Sequence, residues 1–232
     1  PGIWKTLPGL LLNRESPLSV RARYWPRMIP WGLRFLLHTT EARARATSDL
    51  MEYLCGPSVD LYRRHLAGTG HEDLLSDSYY VHAFRKAEKA NLQSLDYRIR
   101  LEKGGNLEMI GPAELQALEP SLSSDFKAAV LIKGQARAHA PGKIGRVLAD
   151  KARAMGVDVV LAEVTGLSRQ GDQWAITAKG ATFTSLRVVL AAGVWSADLL
   201  RPLGINLPMV AERGYHVEFA APGVALNHSV MD

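Results

Sequence analysis

The chain has 232 residues, of which 47% are hydrophobic and 22% charged, and a net charge of +5. This length can bury one or two cores, no run approaches the roughly 18 apolar residues of a membrane span, and no secretory signal opens the chain, so a cytoplasmic origin is expected. The single Cys55 excludes an intrachain disulfide, and the basic balance comes without zinc-finger spacing or an RNA-recognition aromatic motif, so no nucleic-acid partner is expected.

Residues 1–25 read as loop, because Pro1, Pro8, Pro17 and Pro26 interrupt any regular period. Arginines gather early, at Arg14, Arg21, Arg23, Arg27, Arg34, Arg43 and Arg45, and interleave with Tyr24, Trp25, Trp31, Phe35, Leu36 and Leu37. Solvated helix faces explain that set simply; a peripheral contact with a membrane surface is the alternative. Pro30 suits a first helical turn, Thr40 can cap a helix through about residue 54, and Gly56-Pro57 ends it before a helix at 58–66. Residues 79–84 read as a strand, 87–103 as an amphipathic helix closed by Gly104-Gly105, and 107–110 as a strand. Pro112 opens a short helix ending at Pro120, and 128–132 is another strand.

At His139 the character changes. Ile144, Val147, Leu148, Ala152 and Met155 share one helical face, with Gly156 placed to end that helix. A strand is expected at 157–161, then a meander at 163–167, 173–178 and 181–188. Val188-Val-Leu-Ala-Ala-Gly-Val-Trp-Ser196 reads as a buried strand whose small-residue end leaves backbone bare, followed by a helix at 197–203 that Ser196 can cap. Backbone N–H groups at that helix start would favour an anion such as a pyrophosphate. Strand, small residues and capped helix are also ordinary architecture, so the pattern alone leaves both readings open.

Taken together, residues 163–167, Ala191-Ala-Gly-Val-Trp-Ser196 and Arg213-Gly-Tyr-His216 resemble the FAD-dependent D-amino acid oxidase superfamily, most closely its D-amino acid dehydrogenase-like branch. Pro17-Leu-Ser-Val-Arg21, Pro30-Trp31, Arg34-Phe35 and Gly111-Pro-Ala-Glu-Leu-Gln-Ala-Leu-Glu-Pro120 also look like that branch, so the likeness covers nearly the whole chain. The resemblance implies a mixed α/β (α+β) fold, part of a two-domain FAD-dependent oxidoreductase. Residues 1–138 would form a substrate-domain region with a helical N-terminal part, 139–204 part of an FAD-binding α/β domain, and 205–232 a return into the substrate domain. The G-x-G-x-x-G turn between strand and helix that opens such proteins is not found, since Gly68-Thr-Gly70 and Gly104-Gly105 follow polar helical segments. With Pro1 and not Met at its start, the chain is expected to be the middle of a flavoenzyme, inactive alone.

The resemblance also implies the site. Oxidation by flavin leaves the hydride chemistry to the cofactor, so the protein needs a cation for the substrate carboxylate, orienting hydroxyls and an apolar pocket. Arg213, Tyr215 and His216 are the catalytic candidates; strand alternation would put Arg213 and Tyr215 on one face, Gly214 and His216 on the other. Val164, Ala191, Ala192, Gly193, Trp195 and Gly214 are the residues expected beside FAD, although Ala140 stands where the family has an acidic residue before a helix. Tyr80 and His82 are the substrate-pocket candidates, with Tyr79 on the same strand; Arg85 could bind a carboxylate, but is more simply an exposed arginine. Core packing explains Tyr215 and His216 equally well. His38, His65, His71 and His139 lack metal-ligand spacing, so no metal is expected. The expected activity is oxidation of the C–N bond of a small D-amino acid or related amine in amino acid catabolism, with quinone or oxygen as electron acceptor. A hydroxy-acid or glycerol-phosphate oxidase, or a non-catalytic interaction module without cofactor, are the alternatives.

Overall fold

The computed structural model describes residues 22–209, 211 and 214–232, with the side chains of Ala22 and Arg27 left aside. Pro17 to Arg21, Arg14 and Arg213 therefore lie outside the described residues. Two compact units divide the chain: the first runs to Lys151 and resumes at Gly223–Asp232, and the second is Ala152–Pro222.

The first unit opens with helices. A 3-10 turn at Ala22–Tyr24 leads into α1 (Trp25–His38), so the loop expected through residue 25 is already helical there. Pro26, not Pro30, occupies the first turn, where a missing N–H costs nothing; Pro30 lies inside the helix. Thr40 caps α2 (Glu41–Cys55), its Oγ1 accepting the Arg43 N–H at 3.3 Å, and α3 (Ser58–Leu66) follows Gly56-Pro57. The mixed sheet comes next. It contains β1 (Leu75–Phe84), β2 (Leu107–Ile110) and β3 (Ala128–Ala138), with α4 (Leu95–Glu102) before β2 and α5 (Pro112–Leu118) after it. β3 pairs antiparallel with both β1 and β2. The helix expected at 87–103 is broken: Ala87–Lys89 makes only a 3-10 turn. Asn91 Oδ1 accepts the Gln93 N–H at 2.9 Å and Ser94 Oγ donates to Asp96 at 2.5 Å, local bonds that compete with helix until Leu95.

Side-chain alternation gives the sheet its two faces, and a bulge in β3 interrupts the pairing. Between the pairs Ser78↔Gln135 and Tyr80↔Ile132 the register shifts, and Gly134 takes the left-handed φ of +73° that this geometry demands. Beyond it Val81 and Ala83 pack with Ile110, Ala129, Leu131, Leu115 of α5 and Phe126. The opposite face joins Val130 and Ile132 to Tyr97 of α4, with Phe84 and Leu107 alongside. Leu66 of α3 and Leu74 meet Ile144 of α6 (Pro141–Ala154), which starts at Pro141 as expected.

In the second unit β4 (Val164–Gln170), β5 (Gln173–Ala178) and β6 (Ala181–Ser185) form the expected antiparallel meander. The strands expected at 157–161, around Val188 and at 214–216 are not formed. None has a pairing neighbour among the described residues, and a strand is defined by the partner that satisfies its N–H and C=O groups. Val189, expected to be buried, is 91% exposed. The helix expected at 197–203 is a five-residue α7 (Ser196–Leu200) followed by a 3-10 turn, and Ser196 stands inside it without a side-chain capping bond. In the first unit again, β7 (Ser229–Met231) pairs parallel with β1, completing the order β2-β3-β1-β7. No described helix is long and apolar enough to cross a membrane.

Candidate functional site

A cavity of about 610 Å³ opens at the end of β1, lined among others by His82, Phe84, Lys86, Lys89, Tyr97 and Met231. Alternation along β1 puts His82 on the sheet face that α4 covers, and α4 brings Tyr97 to meet it: His82 Nδ1 and Tyr97 Oη share a hydrogen bond of 2.5 Å. Burial is the main cause that pushes His82 below its ordinary value of 6.5, with Arg100 adding to it and Asp96 opposing; burial likewise raises Tyr97. Both rings are therefore neutral near pH 7, and the pair is a polar but uncharged wall. His82 Nε2 is buried with no partner among the described residues.

Tyr80 joins this pair. Its ring meets His82 edge-on, with centroids 5.1 Å apart, and its hydroxyl donates to Met231 Sδ at 3.7 Å. The two expected substrate-pocket residues are thus brought together, one on the cavity wall and one supporting it. Tyr79 points to the opposite face, stacked on His228. Arg85 is engaged elsewhere: it lies over the Phe126 ring at 4.6 Å and pairs with Asp232 at 3.1 Å and Asp125 at 3.7 Å. Among the described residues, the cations without an ion pair at this cavity are Lys86 and Lys89. Sequence reasoning missed them because lysines in a polar turn look like solvated charge; Asn91 and Ser94, whose side chains compete with helix after Lys89, were the available signal.

The second unit holds the other expected residues. Val164 begins β4, and α7 lies against that strand, so Val164 and the turn carrying Ala191, Ala192, Gly193 and Trp195 belong to one local surface. Gly193 has φ +55°, and a Cβ there or at Gly214 would meet nothing within 4 Å, leaving bare backbone beside open space. Trp195 is 70% exposed. This surface fits the flat, apolar part of a large ligand. It does not supply a phosphate cradle, since α7 is five residues long and no G-x-G-x-x-G turn joins a strand to a helix among the described residues. Tyr215 is 88% exposed, and His216 pairs with Glu218 at 3.4 Å, with no strand formed at the described residues 214–216; the expected alternation with Arg213 lies outside the described residues.

Residues 23–231 match the family described as FAD dependent oxidoreductase (DAO). The chain is 31% identical over its full length to a D-amino-acid oxidase of Bradyrhizobium diazoefficiens, covering 55% of that protein. It is 32% identical to D-amino acid dehydrogenase 2 of Mesorhizobium japonicum, with 93% of this chain and 53% of the relative aligned. Thus the chain spans about half the length of the curated relatives it matches. Among solved structures it is similar to glycine oxidase from Geobacillus kaustophilus, with TM-score 0.54 and 22% identity over 73% of this chain and 45% of that one. L-amino acid deaminase from Proteus vulgaris gives TM-score 0.56 and 21% identity over 68% and 38%. The mixed α/β fold built around this sheet is theirs, and the chain belongs to the DAO family of FAD-dependent oxidoreductases.

Proposed function

We propose that this chain serves the oxidation of the C–N bond of a small D-amino acid or related amine, with the cavity beside His82 as its substrate pocket. The carrying observation is that cavity, whose two unpaired lysines stand next to the neutral, aromatic wall of His82, Phe84 and Tyr97. Lys86 and Lys89 take the carboxylate, and Phe84 and Met231 take the apolar body. Val164, Ala191, Ala192, Gly193, Trp195 and Gly214 form the wall against which FAD packs, with Tyr215 and His216 at its margin as polar contacts. When bound, flavin supplies the hydride acceptor, and the chain's own task is to hold and desolvate the amine.

Electrons then pass to quinone or oxygen. The quinone alternative accords with α1, where Trp31 and Phe35 stack at 5.3 Å on an exposed apolar face with no acidic residue in the helix. That face suits a peripheral contact on the cytoplasmic side of a membrane.

The test is anaerobic titration with FAD of a protein of the relatives' full length that carries this chain, followed by addition of D-amino acids while the visible flavin bands are watched. Bleaching by D-amino acids supports the reading. Bound flavin that no amino or imino acid reduces overturns it, and bleaching by hydroxy acids alone moves the substrate class.

A further inference from the structure

Glu119 is fully buried, and neither the cavity nor the cofactor wall uses it. It follows α5, its own N–H donating to Leu115 O at 2.8 Å. Its carboxylate reaches a segment 108 residues later: Oε2 accepts the Asn227 N–H at 2.9 Å and Oε1 accepts the His228 N–H at 2.5 Å. The Asn227 side chain donates to Leu118 O at 2.8 Å, and His228 Nδ1 accepts the Tyr79 N–H at 3.1 Å while its ring stacks on Tyr79 at 4.6 Å. A buried carboxylate is costly unless its oxygens are satisfied, and here two successive backbone N–H groups satisfy one oxygen each. Such a contact fixes position along the chain, because shifting the segment by one residue leaves an oxygen without its donor.

The next three residues make use of that fixed position. Ser229, Val230 and Met231 pair with Tyr80, Val81 and His82, and a three-residue strand has few bonds with which to hold its own register. A slip of one would turn Met231 to the other face. In the observed register Met231 Sδ receives the Tyr80 hydroxyl, Asp232 occupies Arg85, and both residues line the cavity. We infer that Glu119 is a positioning residue: its carboxylate sets the register of β7 and thereby shapes the His82 cavity and keeps Arg85 occupied. The consequence for substrate rests on the function proposed above; the latch itself needs neither flavin nor substrate.

Hydrogen exchange and methyl NMR of the 232-residue chain test it. Glu119→Gln keeps the shape but replaces one acceptor oxygen with an NH2 that faces a donor. The expected result is exchange about tenfold faster or more at residues 227–231, and movement of the Met231 methyl signal toward that of exposed Met155. Exchange across the β1–β3 pairing should stay unchanged, which a general loss of stability would not allow. His228→Ala, which retains the backbone N–H, should leave the register in place. Should Glu119→Gln fail to fold, Asn227→Pro removes one of the two N–H donors without touching the carboxylate and should loosen the same residues. Unchanged exchange and an unmoved Met231 signal, or equal acceleration across the whole sheet, would overturn the inference. If the latch holds while the cavity binds no amine or carboxylate, it is the functional reading that falls.

Discussion

Burial makes protonation of His82 costly, and that has a signed effect on stability. Below about 6.5 the unfolded chain takes up the proton while the folded chain resists it, so stability falls as pH drops through that value and is level above it. His82→Asn, which keeps an acceptor for Tyr97, should remove this part of the acid sensitivity. Denaturation midpoints at about pH 5 and about pH 8 would show it as a smaller difference in the variant than in the native chain; an equal difference would assign the sensitivity elsewhere. Lys86 and Lys89 permit a second check. Replacing both by Met should weaken binding of a small carboxylate such as phenylacetate about tenfold, since a charge-assisted contact is worth about 1.5–3 kcal/mol before solvent screening reduces it. An NMR titration that gives the same affinity for both proteins would remove the lysines from the site. The residue types were readable in sequence, but His82 gains its neutral partner only because Tyr97 arrives from a helix whose start lies beyond an interrupted one.

At the scale of elements, local chemistry decided what the sequence could reveal. Thr40 before α2, Pro112 at the first position of α5 and the Gln173–Ala178 hairpin strand carry caps, turns and alternation within a few residues of themselves, and each element forms as expected. The segments at 157–161 and around Val188 are apolar enough for strands, yet pairing is a property of two segments, and neither finds a second. α1 is the converse case. Its apolar residues were legible, but only the folded chain leaves Ile29, Trp31, Leu33, Phe35 and Leu37 exposed together. If that face seats on lipid, the chain should sediment with vesicles containing anionic lipid more than with neutral ones. Trp31→Asp combined with Phe35→Asp should reduce that binding about tenfold or more, given roughly 1.5–3 kcal/mol per buried apolar side chain. Equal sedimentation of native and variant chains would exclude α1 as the contact.

For the molecule as a whole, the two units differ in how completely their backbones are paired. β1 and β3 share a long antiparallel register and bury Val81, Ala129 and Val130 completely. Amides at 158–163 and 186–192 have no strand partner among the described residues, so they should exchange at least about a hundredfold faster than those of Val130 and Leu131. Protection comparable to the sheet, measured by mass spectrometry, would mean that these segments pair after all. Addition of FAD that slows exchange around Ala191 and Gly193 would support the proposed flavin wall; no change would count against it.

By itself the sequence determined the mixed α/β class, the meander, most helix boundaries and the family resemblance, because caps, turn glycines and hydrophobic periods act over a few residues. Tertiary structure alone decided which face Tyr80 and His82 occupy, which cations remain unpaired and how Glu119 holds β7. Each of those depends on groups apart in the chain: the pairing of β1 with β3 under α4, an aspartate at 232 that engages Arg85, and a carboxylate that meets its donors 108 residues later.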